Sequence, residues 1–400
     1  MAAGFGALDG LKIIDLTRVL GGPYATQILA DHGAEVVKVE PPQGDEVRDW
    51  GPPFDAAGDS SYFLGINRNK RSLGLDLGEA AGRAVLLRLL EGADVLIENY
   101  KPGAMEAWGL GYEEVLRPRF PRLIHARISG FGADGPYGGL PGYDAVVQAM
   151  AGHFSVNGDA VSGPTRMGIP LVDIGTGLYT ALAVAMAVIE RERSGEGQYL
   201  DMTLFDTAVA LMFPHLPNYV LSGELPRPTG NAHPNICPYD KFATATGDVF
   251  VAVGNNRAFE RFCAVIDHPE LVDDPRFRTN GDRLVHREAL TAILAERLAN
   301  RDGAALCRDL LARGVPAGPV QNTAEVWADP HTRHRGMAVE AGDYKGFGTP
   351  IAFSRTPGGM HSPPPRYGAH GRTVLEDAGF TEDEVEALIA AGVVLETRRR

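Results

Sequence analysis

The sequence predicts an α/β fold: a large domain built on a parallel sheet, joined to a smaller α+β domain. Three observations carry that reading. Apolar runs of strand length alternate with helix-length stretches through the first half of the chain, and those runs are nearly continuous in Val, Ile and Leu, as strands covered on both faces must be. The composition then shifts to turn formers after about residue 215. A length of 400 residues suits two or three cores at the usual ~100 to 200 residues per domain.

In order, LKIIDL (11–16) reads as a buried strand, Gly21-Gly22-Pro23 as a turn, Tyr24 to His32 as a helix and EVVKVE (35–40) as a second strand, which makes a β-α-β unit. RSLGLDL, the helix GRAVLLRLLEGA, the strand DVLIE, a helix near AMEAWGL and the strand RLIHARISGF continue the alternation. A sheet with right-handed crossovers follows. LVDIGTGLYTALAVAMAVIERERSGEG is apolar on all sides and reads as a buried helix stopped by Gly195. QYLDMTL and a helix from Asp206 close the first region. Residues 222–238 read as a loop, DVFVAVG as a strand, and RAFERFCAVI and REALTAILAERLA as helices of the second domain. Thr381 and Glu384 form a capping box for a final helix.

Composition and motifs remove several functions. The formal charge of −13 opposes a chain-wide polyanionic partner such as nucleic acid, so any phosphate ligand needs a local basic pocket. The N-terminal stretch shows no secretory signal, and the apolar run Leu178 to Ile189 is shorter than the ~20 residues of a bilayer crossing. No membrane partner and a cytoplasmic location are the expectations. Cys237, Cys263 and Cys307 are odd in number and widely spaced, as buried reduced thiols are. No P-loop, HExxH or GxSxG is present, and no GxGxxG follows the first strand. The pair His331 and His334 falls short of the three or four ligands of a metal site, and no metal is expected. Arg398-Arg399-Arg400 reads as a solvated tail.

One carboxylate stands out. Asp173 lies in the apolar stretch PLVDIGTG at a helix start. It can serve as an N-cap, accepting a backbone N–H, and it can serve as a nucleophile, with Gly175 and Gly177 giving a ligand room to approach. The two roles are compatible. Lys38, Arg71 and Lys101 are candidate members of a local basic zone that would hold a phosphorylated cofactor.

The blocks DLTRVLGGPYATQILADHGAEVVKVEPPQGD, NRNKRSLGLDL, ENYKPGAMEAWGLGYE, SGFGADGPYGGLPGYDAVVQA and LVDIGTGLYTALAVAMAVIERERSGEGQYLDMTLFD occur in order. In these the chain resembles the class III coenzyme A transferases, among them formyl-CoA transferase, carnitine CoA-transferase and the bile-acid inducible enzymes. The resemblance implies a Rossmann-like large domain (1–200 and 326–400), a linker (201–225), a small domain (226–325) and an interlocked homodimer. It implies coenzyme A, carried as acyl-CoA, and a small carboxylate as substrates. Asp173 matches the nucleophile, which would form an aspartyl mixed anhydride and then an aspartyl-CoA thioester.

For CoA the same resemblance points to Val19, Leu20, Leu75, Asp76, Asn99, Tyr100 and Lys101. Pro41 stands where formyl-CoA transferases carry an arginine, which leaves Lys38, Arg71 and Lys101 as candidates for the adenosine phosphate. Tyr143, Asp144, Gly175, Gly177 and His233 would line the substrate pocket. The stretch GNAHPNICPYDKF resembles the dicarboxylate branch, with succinyl-CoA as a candidate donor. Two alternatives stay open, a non-catalytic CoA-binding protein and an α-methylacyl-CoA racemase. The racemase needs a histidine before Asp144, where this chain has Tyr143, and a phenol, titrating near ~10 in water, is a poor base at neutral pH.

Overall fold

The computed structural model describes residues 6–399, and the chain divides into two compact units. One takes in the chain through Ala151, Met167–Met212 and everything from Pro330 on; the other takes in Gly152–Arg166 and Phe213–Asp329. No change of composition marks off Gly152–Arg166. The stretch 201–225, expected as a linker, instead holds the end of a strand and the helices Leu204–Ala210 and His215–Ser222.

The first unit is built on a seven-stranded sheet. Strands β1 (Lys12–Asp15), β2 (Glu35–Glu40), β3 (Lys70–Leu75), β4 (Val95–Glu98), β5 (Ile124–Ser129) and β6 (Tyr199–Thr203) lie in the spatial order β3-β2-β1-β4-β5-β6, all parallel. A two-residue strand, Val394–Leu395, adds antiparallel to β3. Its shortness gave the sequence no periodicity to read. The sheet is otherwise the one that the alternating runs predict.

Both faces of that sheet are covered, which explains the continuous apolar runs. Ile13, Val36, Val95 and Ile97 pack on one face with residues of helices α1 (Gly21–Asp31) and α4 (Leu171–Ser194). Ile14, Val37, Leu73 and Leu96 pack on the other with α2 (Ala80–Leu90) and the C-terminal helices. Between α2 and α4 lies α3 (Asp144–Met150), and α5 (Leu204–Ala210) follows β6.

Two element boundaries differ from expectation for identifiable reasons. Gly21-Gly22-Pro23 opens α1 rather than forming a separate turn; Pro is tolerated in a first turn because no intrahelical acceptor awaits its missing N–H. A Cβ on Gly22 would lie 2.3 Å from Thr17 Cβ, so glycine lets the chain leave β1 and enter the helix at once. The long apolar helix α4 ends as expected, with Gly195 at φ +82°. It spans 24 residues and contains an 18-residue window of mean hydropathy 1.7, long and apolar enough by length and composition to cross a membrane. In the folded unit Val172, Ala181, Val184 and Ala187 belong to the core.

The second unit has its own core. Strands β7 (Tyr239–Thr244), β8 (Gly247–Ala252) and β9 (Ala317–Pro319) form an antiparallel sheet in the order β7-β8-β9, with helices α6 (Asn256–Val265), α7 (Arg287–Leu298) and α8 (Gly303–Ala312). Cys237, Cys263 and Cys307 are all buried there as small apolar side chains. Fully buried Arg283 donates to the carbonyls of Cys237 (2.7 Å) and Phe277 (2.9 Å) and to Asn256 (3.0 Å).

Candidate active site

In the first unit the strand order reverses between β1 and β4. From β1 the chain crosses to β2 on one side, and from β4 to β5 on the other, so a crevice opens beyond the carboxyl ends of this pair. A cleft of about 270 Å³ occupies that place, lined by Arg18 to Gly22 after β1, Asn99 to Pro102 after β4, Tyr143 and Asp173. The topology therefore brings together residues that are far apart in the chain.

The β1 loop is held from beneath by buried charge. Lys38 is fully buried, donating to Asp45 (2.9 Å) and to the Thr17 carbonyl (2.8 Å). Asp45 also accepts the Val19 N–H (3.1 Å), while Asn99 accepts the Arg18 N–H (3.0 Å) and donates to the Arg18 carbonyl (2.8 Å). These bonds fix Val19 at φ +70°, a region that β-branched residues avoid. Beside them Lys70 meets Asp15 at 3.2 Å with both groups buried. Burial pulls Lys70 down to about 8 despite Asp15. Asp15 is driven up by burial, but Lys70 and Lys38 outweigh this and leave it below its ordinary value. Arg48, also buried, bridges Glu40 (2.8 Å) and Asp59 (2.9 Å).

Asp173 is the third residue of α4, and Pro170 stands at the cap position. The N-cap role expected for Asp173 falls instead to Asp144. One carboxylate oxygen of Asp144 accepts the N–H groups of Val172 (2.9 Å) and Asp173 (3.1 Å), and the other accepts Gln148 Nε2 (2.6 Å). Proline offers no side-chain acceptor, so a buried carboxylate from α3 caps α4 from outside. Asp173 is thus left with a carboxylate that accepts no hydrogen bond among the described residues. Burial, and then the negative charge of Asp144, push it up to about 7. Tyr62 is raised to about 12 by burial, Asp173 and Asp144, which keeps its phenol protonated. The start of α1 lies alongside: a Cβ on Gly21 would sit 3.2 Å from the Asp173 carbonyl and 3.7 Å from its Oδ1.

A second recess of about 270 Å³ shares Arg18 and Tyr100 with the cleft and is lined further by Val39, Pro41, Leu75, Asp76 and Trp108. Tyr100 and Trp108 meet edge to face at 5.0 Å. Arg18 lies 5.8 Å over the Tyr100 ring, and its buried Nε has no hydrogen-bond partner among the described residues. Neither Arg18 nor Tyr62 was singled out from the sequence. The only signal for Arg18 was its place directly after a strand that turns out to flank the switch point.

Val19, Leu20, Asn99, Tyr100, Lys101, Tyr143 and Asp173 come together at the cleft, and Leu75 and Asp76 at the adjoining recess. Other candidates go elsewhere. Lys38 is enclosed in its ion pair rather than open to a ligand. Arg71, the second residue of β3, points toward the end of the sheet opposite the cleft, paired with Glu35 (2.9 Å) and Asp377 (2.7 Å). There it lines a larger cavity, about 1290 Å³, that includes neither Asp173 nor the β1 and β4 loops. Gly175 and Gly177 do not face the cleft. A Cβ on Gly175 would meet Leu211 at 2.7 Å, and one on Gly177 the Gly21 carbonyl at 2.7 Å, so these glycines admit neighbouring chain rather than ligand. His233 lies in the second unit, its Nδ1 accepting the Asn235 N–H (3.0 Å) and its ring 5.0 Å from Tyr239. Among the described residues no group of three or more His, Cys, Asp or Glu side chains is arranged to hold a metal ion.

Comparison with known proteins gives the family. The model of CoA-transferase family III matches residues 8–371. Succinate–glutarate CoA-transferase of Agrobacterium fabrum is 41% identical over 381 residues, 92% of this chain and 95% of that protein. Succinyl-CoA:glutarate CoA-transferase of Homo sapiens is 36% identical, covering 97% of this chain and 90% of that one. A crystal structure of a CAIB/BAIF family protein from Brucella suis superposes with a TM-score of 0.84 at 41% identity, over 93% of this chain and 99% of that chain. The chain belongs to CoA-transferase family III and is a class III CoA-transferase.

Proposed function

We propose that this enzyme transfers coenzyme A from a succinyl-CoA-type thioester to a small dicarboxylic acid, with Asp173 as the covalent nucleophile. The observation that carries the mechanism is the state of Asp173: a carboxylate with no hydrogen-bond partner among the described residues, raised to about 7, at the switch-point cleft. The dicarboxylate choice is supported by the names of the Agrobacterium and human relatives.

In this reading an oxygen of ionised Asp173 attacks the thioester carbonyl carbon, and CoA leaves as thiolate, giving a mixed anhydride. The thiolate then attacks the aspartyl carbonyl, the first acid departs as carboxylate, and Asp173 carries CoA as a thioester. The acceptor carboxylate attacks that carbonyl and displaces the thiolate, which takes the acceptor's acyl group and restores the Asp173 carboxylate. Acyl activation is retained at each stage, so the steps stay near balance as long as water is kept out. Both covalent forms of Asp173 are neutral. Burial and Asp144 disfavour the charged side chain and therefore favour its acylation. The N–H groups of Leu20, Gly21 and Gly22 open α1 without intrahelical acceptors and lie where an oxyanion would develop.

The proposal includes a cytoplasmic homodimer without nucleic-acid or membrane partners. The substrate assignment is tested by offering succinyl-CoA and acetyl-CoA with a panel of short mono- and dicarboxylates and identifying new thioesters by mass spectrometry. Glutarate-sized dicarboxylates should accept CoA best; transfer confined to monocarboxylates would sink the assignment. Loss of α-proton label without CoA transfer would identify a racemase instead.

A further inference from the structure

Of the C-terminal arginines expected to be free in solvent, Arg398 and Arg399 are docked, and Arg400 lies outside the described residues. The Arg399 N–H donates to the Pro42 carbonyl (2.8 Å), just past the end of β2, and Arg398 pairs with Asp49 at 2.9 Å. The Arg399 guanidinium donates to the Gly392 carbonyl (2.7 Å) and lies 3.3 Å from Asp76, with its side chain 53% exposed. Asp76 belongs to the recess beside the cleft. A second guanidinium, Arg83, donates to the carbonyls of Leu77 and Gly78 at 2.8 Å each, and both residues also line that recess. Two guanidinium groups therefore contact, from outside the recess, residues that line it.

The recess has the chemistry of a purine slot. Val39, Pro41, Leu75 and Leu77 give apolar walls, Tyr100 and Trp108 give ring faces, and Arg18 and Tyr100 connect it to the cleft that holds Asp173. A CoA thioester reacting at Asp173 has its adenosine at the far end of a long arm, bearing a phosphate on the ribose 3′ oxygen. In a chain of net charge −13 that phosphate needs local cations. Of the candidates read from the sequence, Lys38 is enclosed, Arg71 is at the other end of the sheet, and Lys101 lines the cleft rather than the recess. We propose that Arg399 of the docked tail, with Arg83, forms the site for the 3′-phosphate of coenzyme A.

The inference rests on the coenzyme A reading of the cleft. The pair between Arg399 and Asp76 does not oppose it strongly, because exposed ion pairs contribute little, and a dianionic phosphate accepts charge-assisted bonds from two guanidinium groups at once.

The test compares calorimetric binding of CoA and 3′-dephospho-CoA to the full-length enzyme, to Arg399→Ala and to Arg399→Lys. The wild-type enzyme should bind CoA more tightly by roughly tenfold, the order of one charge-assisted hydrogen bond. Arg399→Ala should bring the ratio close to one, Arg399→Lys should restore part of it, and Arg83→Ala should reduce it as well. An unchanged ratio in Arg399→Ala, or no discrimination in the wild type, overturns the proposal. A parallel transfer assay keeps the two readings apart: discrimination lost on Arg399→Ala without wild-type transfer supports this site and defeats the transferase mechanism, whereas transfer without discrimination does the reverse.

Discussion

Asp173 bears on both stability and rate through one property, its ionisation. Its value is raised from the ordinary 3.8 to about 7, so the folded state favours the protonated form. The resulting stability is present below the ordinary value and is lost as pH rises through about 7. Asp173→Asn should accordingly be more stable than wild type at pH 8, on the order of 3 kcal/mol after screening at the cleft mouth, with the gap closing by about pH 4; urea midpoints across pH measure it. Catalysis needs the ionised form, so kcat/KM should climb with pH through about 7. Asp144 and Tyr62 are the titratable groups coupled to this carboxylate. Asp144→Asn removes the like charge and should move that midpoint to lower pH, a shift that mere loosening of the helix would not give. Asp173 was legible because a lone carboxylate in an apolar helix start needs a reason. Lys38 was misread because its partner Asp45 lies in a turn whose position no pattern in EVVKVE reveals.

At the scale of elements, helices α1 and α4 share the site, and their glycines set the distance between them. Gly177→Ala would place a methyl carbon 2.7 Å from the Gly21 carbonyl and 3.1 Å from Tyr24. Backbone must move to relieve that, so the expected cost is about 1–3 kcal/mol, read as a lower urea midpoint. Activity should fall further than stability explains, since Gly21 and Asp173 sit on the two helices being parted. The strands of the parallel sheet were legible in their apolar runs, to within a residue or two at most ends. What escaped was whatever depends on meeting another element: the start of α1 at Gly21, the two-residue strand at Val394 and the capping of α4 by Asp144.

For the whole molecule, the apolar sequence of α4 is only partly absorbed by its own unit. Leu178, Leu182, Met186 and Ile189, spaced three or four apart, are each 48–61% exposed. Such a stripe is expected to be covered, which supports the proposed homodimer. Light scattering coupled to size exclusion should give about twice the chain mass of 42.8 kDa, and Leu182→Glu with Met186→Glu should reduce it to the single chain. A wild-type monomer at micromolar concentration would remove that part of the proposal.

The central claim is that Asp173 becomes covalently modified during transfer. The direct measurement incubates the enzyme with succinyl-CoA without an acceptor, quenches it and examines its peptides by mass spectrometry. An acyl or CoA adduct should form on Asp173, disappear when a dicarboxylate is added and never form in Asp173→Ala. An adduct on another residue, or transfer that persists in Asp173→Ala, would contradict it.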